Sequence, residues 1–178
     1  AQTVLALDCD FFTEHPASLR YARDFARARR PEDAATRGWT NRLYAVESNY
    51  TPTGVMADHR LALRSDLVLP VLLAVEAALT GGAAPGAQVV GEKRVAEFVK
   101  AVAADLKATS GRAVVMVGRK QPPIVHAVAA RVNAAIAGGA LEYLEDPAAD
   151  RPTHGEAIAT LARELGGGQV DTLFILGG

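Results

Sequence analysis

The 178 residues are 49% hydrophobic and 22% charged, with a formal net charge of −1. That is the composition of a folded globular domain with its own core, and near neutrality gives no electrostatic reason to expect nucleic acid or an anionic membrane surface as a partner. One cysteine, Cys9, excludes an internal disulfide and a multi-cysteine metal cage.

In chain order, Thr3–Asp8 is a short apolar run closed by acidic residues, the pattern of a buried parallel strand. His15-Pro16-Ala17-Ser18 opens a helix that places Leu19, Ala22, Phe25 and Ala26 on one face. Arg27 to Thr40 reads as helix end plus loop, and Arg42–Glu47 as the second strand. After the Pro/Thr/Gly loop Ser48–Gly54, Leu61–Leu63 is a short third strand. Asp66 is placed to cap the apolar run Leu67–Leu79, which is shorter than the roughly 20 residues a bilayer requires and so packs on a sheet. The stretch 80–91, with Gly81-Gly82-Ala83-Ala84-Pro85-Gly86, is the expected hinge.

The second half repeats the alternation. Val95, Phe98, Val99, Val102 and Leu106 form a helical stripe, and Ala113–Gly118 is the clearest buried strand. Pro122-Pro123 starts a helix with Ile124, Val128, Val132 and Ile136 facing inward. Leu141–Leu144 reads as strand, Glu156–Leu165 as helix and Asp171–Leu176 as a last strand. The expected fold is a single Rossmann-like α/β domain over 1–178, with a mostly parallel sheet of five to six strands and helices on both faces. Strand-like residues at Gln2-Thr3-Val4-Leu5 and a strand that stops at Gly177-Gly178 suggest an excised piece of a longer protein.

No arrangement for catalysis is found. His15, His59, His126 and His154 lie far apart, without the i, i+4 spacing of a zinc site, so no metal is expected. There is no Gly-x-Ser-x-Gly elbow, no GxGxxG after a strand and no GxxxxGK[ST]. Two loops nevertheless sit where ligands bind in parallel sheets. In Gly118-Arg119-Lys120-Gln121-Pro122-Pro123, Arg119 and Lys120 are either phosphate ligands or solvated turn residues, and the two prolines remove backbone donors. In Glu47-Ser48-Asn49-Tyr50, an acid at a strand end suits a ribose hydroxyl, yet the first turn, Asp8-Cys9-Asp10-Phe11-Phe12, sets two carboxylates where a diphosphate would approach. The residues of a retained pterin or nucleotide site would be Asp10, Glu47, Asn49, Arg119 and Lys120. Asp58-His59-Arg60 is either an acid/base cluster or an Asp–Arg pairing that pins the loop. Cys9, flanked by Asp8 and Asp10, should have a raised thiol pKa and be a poor nucleophile.

The block Asn41-Arg42-Leu43-Tyr44-Ala45-Val46-Glu47-Ser48, followed by Thr51-Pro52-Thr53-Gly54-Val55-Met56-Ala57-Asp58-His59-Arg60-Leu61, resembles the molybdopterin-oxidoreductase-like subunit of alternative complex III, a bacterial quinol:acceptor oxidoreductase. Leu7-Asp8-Cys9-Asp10-Phe11, Arg20-Tyr21-Ala22-Arg23-Asp24-Phe25, Gln121-Pro122-Pro123 with His126-Ala127, and Val170–Gly178 extend the likeness along nearly the whole chain. The resemblance implies the α/β domain that, in related molybdenum enzymes, grips one arm of a bis-guanine-dinucleotide cofactor. It also implies a parent chain with iron–sulfur clusters, peripheral on the periplasmic face of the bacterial inner membrane. Where that superfamily carries a Gly-Ser-Asn-Pro type and an Asp-Pro-Arg type turn, this chain has Asp8-Cys9-Asp10-Phe11 and Glu47-Ser48-Asn49-Tyr50. The expectation is a domain without cofactor, docking other domains of its chain and subunits of a respiratory complex, with no nucleic acid and no direct membrane insertion.

Overall fold

A computed structural model describes residues 1–30, 32, 38–82, 92–142, 144–145 and 149–176. The chain forms two compact units, Ala1–Glu142 and Tyr143–Gly178.

In the first unit the order is β1 (Thr3–Leu7), α1 (Ser18–Arg27), β2 (Arg42–Glu47), α2 (Pro52–Met56), β3 (His59–Ala62), a 3-10 turn (Ser65–Leu67), α3 (Val68–Thr80), α4 (Lys93–Ala108), β4 (Ala113–Val117) and α5 (Pro123–Ala135). The strands make one parallel sheet in the order β3-β2-β1-β4, with Leu5 registered against Tyr44 on one side and Val115 on the other. Alternation of side chains along each strand separates two cores. Leu5, Leu7, Tyr44, Val46, Leu61, Ala113 and Val115 face α3, α4 and α5. Val4, Ala6, Leu43 and Val114 face the other way, onto Phe25 of α1 and Phe11 of the first turn. Helices therefore cover both faces, in the α/β class expected.

The strand count differs: among the described residues the sheet has four strands, not five to six. Leu141 closes a turn, its N–H donating to the Gly138 carbonyl at 2.9 Å, and Glu142 and Leu144 are in no strand. Asp171–Leu176, in the second unit, is also in no strand, and Phe174 and Leu176 are 82% and 92% exposed. At β4 the outward peptide groups of Val115 are met by the Asn133 side chain instead of a neighbouring strand.

Smaller differences have local causes. β1 stops at Leu7 because Asp8 turns left-handed. β3 begins at His59, two residues before the apolar run, because pairing with Tyr44 and Ala45 recruits two polar residues. The buried side of α1 is Tyr21, Phe25 and Ala28; Leu19 is 88% exposed, and Ala22 and Ala26 face solvent with it. In α5, Val128, Val132 and the following Ile136 are buried, but Ile124 is 51% exposed and Val125 takes its inward position. Asp66 does not cap α3: its carboxylate is held by Arg64, through Nε at 3.0 Å and Nη2 at 2.7 Å. Gly81 ends α3 at φ +76°; the rest of the expected hinge, 83–91, lies outside the described residues.

The second unit contains α6 (His154–Gly166). Thr153 and Glu156 form a capping box at its start: Thr153 Oγ1 accepts the Glu156 N–H at 3.3 Å, and the Glu156 carboxylate accepts the Thr153 N–H at 2.9 Å.

Candidate functional site

In an open parallel sheet, ligands bind outside the carboxyl ends of the strands where the strand order reverses. Here that point lies between β1 and β4, and Asp8 stands in it. Its φ of +44° is one that aspartate tolerates better than most side chains. The turn aims its carboxylate at the loops leaving the other three strands. Oδ1 accepts from Ser48 N–H at 2.7 Å and Ser48 Oγ at 3.2 Å. Oδ2 accepts from Ser65 Oγ at 2.7 Å and Gln121 Nε2 at 2.6 Å. Gln121 Nε2 also reaches Ser65 Oγ at 2.6 Å. One carboxylate thus ties the ends of all four strands together.

Two further acids fill the same edge. Asp10 is buried, its Oδ1 accepting from Thr53 Oγ1 at 2.7 Å and Thr53 N–H at 3.3 Å, and its Oδ2 from Thr13 Oγ1. Glu47 is 4% exposed. Thr51 Oγ1 donates to its Oε2 at 2.6 Å, and Arg60 Nε donates to Oε1. Two glycines pack closely on these acids. A Cβ on Gly118 would lie 1.8 Å from the Asp8 carbonyl oxygen, and one on Gly54 would lie 1.8 Å from Glu47 Oε1.

The candidate residues do not gather into one pocket. Asp10 and Glu47 point into separate hydrogen-bond sets, Asn49 is exposed, and Arg119 and Lys120 sit on the outer turn after β4. Lys120 Nζ lies 3.5 Å from Glu14 Oε1. The Asp58-His59-Arg60 run splits three ways: Asp58 is gripped by both Arg29 amino groups and the Leu43 N–H, His59 stacks on Tyr44 at 4.7 Å, and Arg60 holds Glu47. Partial burial works to raise the Asp58 carboxyl, and the bonds from Arg29 and Leu43 overcome it, so that it titrates below the usual carboxylate range. Burial, then the charges of Asp10 and Glu14, push the Cys9 thiol up to about 11.

Sequence alone does not single out Ser65 and Gln121, which complete the Asp8 set. Their one signal is position, each just beyond a strand end. A cleft of about 460 Å³ lies elsewhere, along the free edge of β3 beneath α4, with Tyr44, His59, Arg94 and Phe98 among its walls. None of the five candidate residues lines it.

Fold and site together define a parallel α/β domain whose ligand-binding edge is filled by its own acids. Compared with protein-family models and with curated proteins, the chain matches none. A pterin guanine dinucleotide does not fit the residues present. Its diphosphate would meet the Asp8 carboxylate, with Asp10 and Glu47 buried behind it in their own hydrogen bonds, and the backbone approach it needs is taken by Gly118 packed on Asp8.

Proposed function

We propose that the chain is a cofactor-free structural and interaction domain of a molybdopterin-oxidoreductase-like subunit in a respiratory quinol:acceptor oxidoreductase. Two lines support this reading. One is the ordered likeness from Leu7 to Gly178, densest over Asn41–Leu61. The other, which carries the reading, is that the ends of four strands are bonded to one another through Asp8 where a cofactor-binding relative would need an open, electropositive crevice. Those bonds make the edge a rigid brace. In this reading electron transfer belongs to iron–sulfur clusters elsewhere in the parent chain, periplasmic and peripheral to the membrane. The domain's part is to dock its own chain and neighbouring subunits.

Elemental analysis of the purified chain, with calorimetric titration by guanine and adenine nucleotides, tests this. Neither stoichiometric molybdenum nor saturable binding is expected. Micromolar nucleotide binding that disappears in Arg119→Ala would instead assign a working cofactor site to Asp10, Glu47, Asn49, Arg119 and Lys120.

A further inference from the structure

Charge is unevenly spread over this nearly neutral chain. Ser18–Arg30 carries five arginines, at 20, 23, 27, 29 and 30, against the single Asp24, a net of +4 in a chain whose total is −1; Arg29 is ion-paired with Asp58, and the other four are left for the outer side of the helix and the turn after it. On α1 the spacing of Arg20, Arg23 and Arg27 puts all three on one side, and Arg30 extends the row in the turn that follows. Ten residues of helix span about 15 Å. The side chains of Arg20 and Arg23 are 74% and 66% exposed, Arg30 is exposed, and Asp24 meets the first two at 3.7 and 3.4 Å. Beside the row lie Leu19, 88% exposed, and the solvent-facing Ala22 and Ala26. Among the ten residues of α1 only Phe25 is buried.

We propose that this outer face of α1 adsorbs the domain onto a membrane surface rich in anionic phospholipid. Only Phe25 of α1 is buried, and the arginine row runs along one side of about 15 Å of helix, so a planar layer of phosphates can meet it along its length. Guanidinium groups bind phosphate through paired N–H donors. Ala22 and Ala26 let the helix lie close, and Leu19 reaches the headgroup layer without any span being inserted. This surface lies apart from the Asp8 edge, so it stands or falls separately from the scaffold reading.

The test is co-sedimentation of the purified chain with vesicles of phosphatidylcholine alone or with one third phosphatidylglycerol. Binding is expected only to the anionic vesicles, falling as salt shortens the Debye length from about 10 Å at 0.1 M. Arg20→Gln/Arg23→Gln/Arg30→Gln should lower partitioning about a hundredfold, roughly fivefold per arginine, Leu19→Ser should weaken it, and Lys100→Glu on α4 should leave it intact. Thermal unfolding confirms that each variant is folded. No binding at low salt, equal binding to neutral vesicles, or an unchanged triple variant overturns the proposal. So does binding to poly-L-glutamate in place of vesicles, which would assign the face to an acidic protein.

Discussion

The Asn133 side chain closes the outer edge of the sheet at Val115. Its Oδ1 accepts the Val115 N–H at 2.8 Å and its Nδ2 donates to the Val115 carbonyl at 2.9 Å. Gly118 N–H and the Arg112 carbonyl bond inward to β1, so by the alternation of a parallel ladder the Val115 groups point outward, where a fifth strand would lie. A side-chain amide takes the place of that strand. Asn133→Ala leaves two buried backbone groups without partners, at about 1–3 kcal/mol each. Urea unfolding should show that loss, and hydrogen exchange should show the Val115 amide losing protection. An unprotected wild-type amide at Val115 would refute the bond. The exposed edge also predicts concentration-dependent association of the variant, read by light scattering.

Asp8 gives a sharper test of the brace between strand ends. Asp8→Ala removes the acceptor of four hydrogen bonds and places a Cβ residue without a polar group at φ +44°. The left-handed conformation costs such a residue about 1–2 kcal/mol, so total destabilisation of about 2–4 kcal/mol is expected. Asp8→Asn tolerates the same backbone and keeps an acceptor oxygen, and should lose less than half as much. Equal losses would mean that the charge, not the geometry, holds the loops.

Gly118→Ala probes the same contact from the other strand. Its Cβ would fall 1.8 Å from the Asp8 carbonyl oxygen, so the ends of β1 and β4 must separate. The expected result is loss of soluble protein or a fall in stability at the upper end of single substitutions, above about 4 kcal/mol. A near-wild-type melting temperature would show that the two strand ends are not in contact and would reopen the crevice to ligands.

The buried strands were legible because each is a run of apolar residues shielded on both faces, as Val4–Leu7, Leu43–Val46 and Ala113–Val115 show. The orientation of α1 was not. Leu19, Ala22 and Ala26 make as regular a stripe as Tyr21, Phe25 and Ala28, and what decides between them is the ring cluster Phe11, Phe12 and Phe25, whose contacts are set by the fold. The acidity of the edge could be read directly from Asp8, Asp10 and Glu47. Its hydrogen-bond partners could not, because Ser48, Ser65 and Gln121 converge on Asp8 only once strand order places three distant loops side by side.

Acid sensitivity should involve Asp105 of α4. Asp105 accepts from Tyr44 Oη at 2.6 Å and Arg42 Nη1 at 2.8 Å. Partial burial works to raise its carboxyl, and those bonds, with the charges of Arg42 and His59, hold it below its ordinary 3.8. A carboxyl depressed on folding contributes stability that is present above its unfolded pKa and lost as pH falls through the folded one. Asp58 is depressed in the same way, and the Arg131 hydrogen bonds depress Glu76. The urea midpoint should be flat near neutrality and fall below about pH 4, and Asp105→Asn should make that limb shallower. An acid limb identical in the variant would remove Asp105 from the account.

The reactivity of Cys9 reports on the crowded edge itself. Burial first, then Asp10 and Glu14, raise its thiol from 9.0 to about 11. The thiolate is the reacting form, so at a pH well below both values its population in the folded chain is about a hundredfold lower than in the unfolded one. Alkylation by iodoacetamide near neutral pH should therefore be at least that much slower in buffer than in urea. Asp10→Asn should recover only a part of the difference, because the larger cause is burial. A folded-state rate that approaches the unfolded one would place Cys9 in water and positive potential, the setting a phosphate-bearing ligand needs, and the edge would be open rather than closed.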